Sequence, residues 1–421
     1  MKEKKLTITL LGNNSGRNLG DATILSSILD AFSKKAPKTE FLVPSISPEF
    51  IDDNYGKEYK VKGVNVLPWT GSIRLFGIPT IISLFKSDAA LICDGIIFGR
   101  KLFSPHNFLI TLVGLLPFIK LSGCKLMCFS TGIGPFPSKL SEVFARWVIQ
   151  ACDLIIMREE DSQELTKKIG VTKPVLLAGD SAFMNPISKD EKALEIFKIE
   201  GIDPNAPLLG LNITPYYDSW LTKEERFESQ KAFVDAYVAG VKKAEDELQQ
   251  QFGGKKLEKV FFCCSPMDEE LTKEVAKKTG AKMIDNTRFL SHDIQACMRR
   301  CDIVVGMRFH SCVLALSAQA PVIALVYAPK VKSHMRLLRT PEFAFELKDL
   351  TADSFSKAIV SAWAQKAEIL AKQQPVVEEL RRTAFGAVDQ VLSVFGLEPE
   401  KVELPKHAPI AHEGLSIAQN A

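Results

Sequence analysis

Short apolar runs rich in Val, Ile and Leu alternate along almost the whole chain with longer stretches whose apolar positions recur every three or four residues. That alternation predicts parallel β-sheets covered by helices. In the first half, strands are expected at Leu6–Leu11, Glu40–Val43, Lys60–Leu67, Ala89–Cys93, Lys125–Ser130, Leu154–Met157 and Val175–Leu177. Helices fit between them. The first starts near Ala22 and puts Leu25, Ile28, Leu29 and Phe32 on one face; others are expected at Leu140–Cys152 and Glu159–Ile169. After a charged helical link at Lys189–Glu200, a second series predicts strands at Leu208–Ile213, Val260–Cys264, Lys282–Ile284, Ile303–Val305, Val322–Val326 and Ala344–Leu347. Its helices are expected at Lys223–Gln251, Asp268–Thr279, His292–Arg299, Ser311–Ala318, Lys330–Leu338 and Ala352–Lys372.

The expected architecture is therefore α/β, with two Rossmann-like domains in tandem over residues 1–188 and 189–373. A C-terminal helix within 374–395 could cross back, and 396–421, proline-containing and poor in large apolar residues, reads as a flexible tail. Ligands of open α/β sheets bind outside the carboxyl ends of the strands, which puts the expected active site in the interdomain cleft.

Length and composition narrow the class. At 421 residues, 46% hydrophobic and 24% charged, the chain is an ordinary globular protein. A formal charge of +3 is too small to argue for nucleic-acid binding. The N-terminal apolar stretch is too short for a signal-peptide core, and nine cysteines without a disulfide spacing fit the reducing cytosol, so a cytoplasmic location is expected. The run Phe108–Ile119 is short of the ~20 residues that span a bilayer. It reads as a buried helix, with a peripheral contact at the inner membrane face left open. Cys124 with Cys128, and Cys297 with Cys301, are spaced as metal half-sites but complete no ligand set, so no metal is expected.

Candidate chemistry gathers at strand ends. The loop Gly12-Asn-Asn-Ser-Gly-Arg-Asn-Leu-Gly-Asp21 spaces its glycines every fourth residue and meets neither the P-loop nor the dinucleotide motif. Its Asn18 and Asp21 could face a ligand at a helix start, or Asp21 could serve only as the helix N-cap. The strongest constellation is Asp302-Ile-Val-Val-Gly-Met-Arg-Phe-His-Ser311, where Arg308, His310 and Ser311 stand at the passage from strand to helix. A helix N-terminus and an Arg fork suit phosphate or carboxylate, and a His can carry a proton near neutral pH. The alternative pairs Arg308 with an interdomain carboxylate and makes His310 a helix cap. Lys330 repeats the placement one unit later, or is a solvated surface charge. Arg158 occupies a similar turn in the first domain, or is tied to Glu159 or Glu160. Asp94 and His106 flank a loop that could shape an acceptor pocket, although His106 could equally cap a helix beside Asn107.

These pieces, in order GNNSGRNLGDATI, GIGP, MREEDSQELTKKIGV, GDSAF and VVGMRFHS…APVIALVYAPK, make the chain resemble the polysaccharide pyruvyl transferase family from about residue 12 to 330. The resemblance implies a glycosyltransferase-B-like fold and phosphoenolpyruvate as donor substrate, with no further cofactor. The pyruvyl group is transferred as a cyclic ketal to a sugar of a surface polysaccharide or its lipid-linked precursor. By matching motif it implies Arg308 and His310 as the catalytic pair, Arg158, Ser311 and Lys330 as further donor holders, and Asn18, Asp21, Asp94 and His106 on the acceptor side. The segment Cys93-Asp94-Gly95 departs from the glycine-rich turn common in that family. A sugar-nucleotide-dependent glycosyltransferase of the same fold is the alternative, because architecture alone does not choose the donor.

Overall fold

The computed structural model describes residues 5–66, 77–94, 108–215, 226–253 and 255–402. Two compact units are present: Met1–Pro186 together with Val377–Leu404, and Ile187–Val376.

The first unit holds an all-parallel sheet of β1 (Thr7–Leu11), β2 (Glu40–Ser45), β3 (Val61–Asn65), β4 (Ala89–Ile92), β5 (Lys125–Thr131), β6 (Leu154–Met157) and β7 (Leu176–Leu177), in the order β3-β2-β1-β4-β5-β6-β7. The second holds β8 (Leu208–Leu211), β9 (Glu258–Cys263), β10 (Lys282–Asp285), β11 (Ile303–Gly306), β12 (Val322–Val326) and β13 (Ala344–Glu346), ordered β10-β9-β8-β11-β12-β13. Both orders are doubly wound, so each sheet reverses direction beside its first strand, between β1 and β4 in one unit and between β8 and β11 in the other. The central strands are buried throughout, as strands covered on both faces must be.

The helices relevant to the site and surface are α1 (Leu19–Lys35), α2 (Pro48–Tyr55), α3 (Ile78–Lys86), α4 (Leu109–Ser122), α5 (Lys139–Ala151), α6 (Glu160–Lys168), α7 (Asp190–Glu200), α8 (Gln230–Gln251), α9 (Glu269–Thr279), α10 (Ser291–Arg299), α11 (Phe309–Ser317), α12 (Pro329–Leu337), α13 (Ala352–Ala364) and α14 (Lys366–Val394). The expected apolar run Phe108–Ile119 is indeed a helix with a buried side: Leu109, Leu112, Leu115 and Ile119 of α4 join Leu84 of α3 and Ala145, Val148 and Ile149 of α5 in one core.

The C-terminal helices differ from expectation. The pattern predicts a break around Pro375, whereas α14 runs through Pro375 and the interruption is the single residue Gln365. A proline removes only one helical N–H, and here the neighbouring turn is held by burial. Gln373, fully buried, donates to the Val322 carbonyl and the Thr340 hydroxyl, and its own oxygen accepts from the Val322 N–H. Farther along, α14 belongs to the first unit: Lys35 donates to Asp389 (2.6 Å) and the Phe385 carbonyl, and Arg381 to the Phe183 carbonyl.

Candidate active site

In the second unit the loop after β8 and the loop after β11 meet at the point where the strand order reverses. Asn212, just past β8, knits them together. Its side-chain oxygen accepts from the Arg308 N–H (2.8 Å), the Met307 N–H (3.3 Å) and the Ser311 hydroxyl (2.9 Å), while its amide donates to the Phe262 carbonyl. This fixes the backbone from which α11 starts. Gly306 allows that start to lie close to the strand, since a Cβ there would come within 2.5 Å of Cys312 Sγ. The helix begins at Phe309 with Arg308 as its N-cap, two residues earlier than the sequence pattern suggests, so Ser311 lies inside the first turn. Ser311 is fully buried, and its hydroxyl also bonds the Arg308 carbonyl.

The Arg308 guanidinium grips Asp268 with both arms, Nη2 donating to Oδ1 at 2.5 Å and Nε to Oδ2. The alternative reading pairs Arg308 with an interdomain carboxylate and makes His310 the helix cap; instead the carboxylate, Asp268, belongs to the same unit as Arg308, and the cap is Arg308 itself. Burial disfavours the charged guanidinium, but the hydrogen bonds and charge of Asp268 more than offset it, so Arg308 is held protonated. Burial raises the Asp268 carboxyl above its ordinary range, against the opposing pull of Arg308 and Thr214. Desolvation likewise raises the phenol of Tyr327, which lies near the pair at the end of β12.

Next to Arg308, the Phe309 ring is a hub. His310 packs edge-on to it with centroids 5.2 Å apart, His334 of α12 at 5.0 Å, and Lys330 places its ammonium 5.7 Å from the ring centroid. Arg308, His310, Ser311 and Lys330 thus lie around the start of α11. Asn212, Asp268, Tyr327 and His334 join them without having been foreseen.

The first unit has a corresponding set. After β1, Asn18 caps α1 by accepting from the Gly20 and Asp21 N–H groups at 3.0 and 3.4 Å. The cap is therefore Asn18 rather than Asp21, because α1 starts at Leu19 and leaves Asp21 in its first turn, where it accepts from the Asn13 amide. Across the switch point, Cys93 and Asp94 follow β4, both buried, with Cys93 Sγ lying where a Cβ of Gly12 would project. Arg158 follows β6. Its guanidinium bonds Asp180 at 2.9 Å, and Glu159 accepts from the Ser162 hydroxyl. Burial opposes its charge, but Asp180, Glu159 and Asp94 together raise its pKa. The guanidinium is stacked so closely on Gly132 that any side chain there would meet it at 2.8 Å. Asn18, Asp21, Asp94 and Arg158 thus share the carboxyl end of one sheet. His106 lies outside the described residues, as do the tail beyond residue 402 and the expected start of α8.

Among the described residues, no three His, Cys, Asp or Glu side chains converge as a metal site. The cysteine half-sites are occupied otherwise: Cys128 Sγ lies 3.5 Å from Cys152 Sγ, and Cys301 Sγ faces the Cys297 carbonyl.

Solved structures with the same architecture include a putative UDP-N-acetylglucosamine 2-epimerase from Listeria monocytogenes (TM-score 0.56, 11% identity, covering 93% of this chain and 96% of that one). The UDP-GlcNAc 2-epimerase of Methanocaldococcus jannaschii is similar at TM-score 0.55 and 12% identity, over 93% of this chain and 99% of that one. A glycosyltransferase from Rickettsia africae gives 0.53 and 10%, over 93% and 98%. At such identities these likenesses show the fold, which is glycosyltransferase-B-like with two Rossmann-type sheets. Identity comes from the sequence: the family model for polysaccharide pyruvyl transferase matches residues 18–329, a span that starts at the cap of α1 and ends at the start of α12. It encloses Arg158, Arg308 and His310, and the chain belongs to the polysaccharide pyruvyl transferase family of transferases.

Proposed function

We propose that the protein transfers the pyruvyl group of phosphoenolpyruvate to two hydroxyls of one sugar in a polysaccharide or its precursor, forming a cyclic ketal. The observation that carries this reading is the cluster at the start of α11 and α12, where His310 and Lys330 pack on the Phe309 ring next to Arg308. A small donor with a phosphate and a carboxylate calls for such a concentration of cationic donors at a helix N-terminus.

In the proposed reaction His310 protonates the donor's methylene carbon, leaving an oxocarbenium-like centre at the adjacent carbon. One sugar hydroxyl attacks that carbon and returns its proton to His310. The carbon–oxygen bond to phosphate then breaks, the phosphate departing with the bonding pair, and the second hydroxyl closes the ring, its proton passing to the departing phosphate. Arg308, oriented in advance by Asp268, offsets the charge that accumulates on phosphate. Lys330 holds the second anionic group, and the start of the helix that buries Ser311 supplies the N–H end of its dipole. Asn18, Asp21 and Asp94 are assigned to the sugar, whose hydroxyls they can accept from. Arg158, expected from the sequence as a donor holder, is assigned instead to balance the charge of those carboxylates, because its guanidinium is bonded to the buried Asp180.

The test is phosphate release and melting shifts with phosphoenolpyruvate, run beside a panel of sugar nucleotides. A shift with phosphoenolpyruvate that Arg308→Ala abolishes supports the reading. A shift with a sugar nucleotide alone replaces it with a glycosyltransferase.

A further inference from the structure

Helices α3, α4 and α5 pack side by side on one face of the first sheet and share its core. Their opposite sides, which an ordinary surface helix gives to charged residues, are apolar. On α3 the outward stripe is Ile78, Ile82 and Phe85; on α5 it is Leu140, Val143 and Trp147; both follow helical spacing. On α4, Gly114, Pro117 and Leu121 are exposed, Leu121 by 75%, with Ile110 and Val113 half-buried beside them. Nearly half of the large apolar side chains exposed among the described residues lie on these three helices.

The outer helices of the second unit provide an internal control. There α8 and α9 carry the pairs Lys231–Asp235, Lys273–Glu269 and Lys278–Glu274 on their exposed sides. Solvation therefore explains those helices and not the other three.

Charge on the apolar face is one-sided. Lys86, Lys120, Lys139 and Arg146 are exposed on it, against the single acid Glu142, which is paired with Lys139 at 2.8 Å. Along the sequence no Asp or Glu occurs between Asp94 and Glu142, whereas Arg100, Lys101, Lys120, Lys125 and Lys139 do. No helix among the described residues is long and apolar enough to cross a bilayer.

We propose that the α3–α4–α5 face docks on an anionic lipid surface. Phe85, Leu121 and Trp147 enter the interface between headgroups and acyl chains, and the lysines and arginine sit among the headgroup phosphates. A second copy of the chain is the poorer occupant, because a two-fold contact would set this cationic face against itself. The inference is independent of the transfer reaction, since no residue assigned to donor or sugar lies on this face.

Cosedimentation of the full chain with vesicles tests it, using phosphatidylcholine alone and phosphatidylcholine with phosphatidylglycerol in equal parts. The wild type is expected to pellet with the anionic vesicles, less with the neutral ones, and less again as salt rises. Phe85→Ser, Leu121→Ser and Trp147→Ser combined should weaken partitioning about tenfold or more. Lys86→Glu with Lys120→Glu, on exposed positions, should remove the dependence on phosphatidylglycerol and serves if the triple variant folds poorly. Circular dichroism and melting verify each fold. The proposal is overturned if the wild type stays in the supernatant with anionic vesicles, or if neither set of substitutions alters pelleting. It is also overturned if sedimentation velocity shows a dimer that the triple substitution splits while vesicles bind neither form.

Discussion

Among the described residues, the two switch points share one topology and differ in the charge buried around them. Among the described residues, the partly or fully buried ionisable groups at the carboxyl end of the first sheet include Asp21, Asp94 and Asp180 with Arg158 among them; at that of the second they include Arg308 and Lys330 with Asp268. In both units an Arg at a strand end is matched to a buried Asp, but the surroundings differ. Arg158 is almost sealed, its side chain 5% exposed, and it lies among further carboxylates; Arg308 is 18% exposed and stands at the head of a helix beside Lys330 and His310. The same residue in the same topological place thus has two different surroundings. An acidic strand end suits sugar hydroxyls, and a basic one suits a phosphorylated carboxylate.

The sharpest break of this comparison comes from function. Under the proposed assignment His310→Ala lowers transfer by about 10²–10⁴ and Arg308→Ala by about 10²–10³. Asp94→Asn should mainly raise the KM for the sugar and leave the phosphoenolpyruvate-induced melting shift intact. Steady-state rates and melting curves read both effects, and near-normal turnover in His310→Ala and Arg308→Ala together would remove the donor site from the second unit.

Stability separates the two arginines next. Arg158→Ala leaves Asp180 buried without its cation and should cost about 3–5 kcal/mol in urea unfolding. Arg308→Ala should cost less, because water reaches that side chain and Asp268 already has a raised pKa and can take up a proton. Equal losses for the two variants would erase the structural distinction drawn between them.

A smaller effect is expected from the glycines under each motif. Gly306→Ala drives a methyl against Cys312, a short side chain anchored in a helix, and Gly132→Ala drives one against the longer Arg158. Each should cost about 1–3 kcal/mol, Gly306→Ala the more, measured by urea midpoints. The smallest signal is chemical. Burial pushes the thiol of Cys263 up to about 11, and those of Cys124 and Cys312 up to about 12. All nine cysteines are buried, so iodoacetamide should label neither unit until urea unfolds it. Rapid native labelling confined to one unit would show that unit opening on its own.

Strands were the most legible feature, because a parallel strand covered on both faces must be a short continuous apolar run, and Leu154–Met157 and Val322–Val326 match to the residue. The passage from β11 into α11 was equally visible, since Gly306, Arg308 and His310 are neighbours in sequence. What supports them was not. Asn212 and Asp268 lie 96 and 40 residues from Arg308, and only folding brings them to it. Asp180 stood inside a recognisable Gly-Asp-Ser segment, yet nothing local distinguishes a buried ion-pair partner from a turn residue. Helix ends failed where tertiary contacts override propensity, as at Pro375, where burial of Gln373 carries α14 through a residue that ordinarily stops a helix.

That helix has a consequence for how the protein is made. The first unit is assembled from residues before 187 and residues after 376, and Lys35, Gly179 and Phe183 each hydrogen-bond to α14. A ribosome synthesising the chain therefore delivers every strand of the first sheet long before it delivers the partner of Lys35. The described part of the second unit is one stretch of chain and can complete itself first, and the nascent first unit must wait with part of its core open until the last turns of α14 emerge.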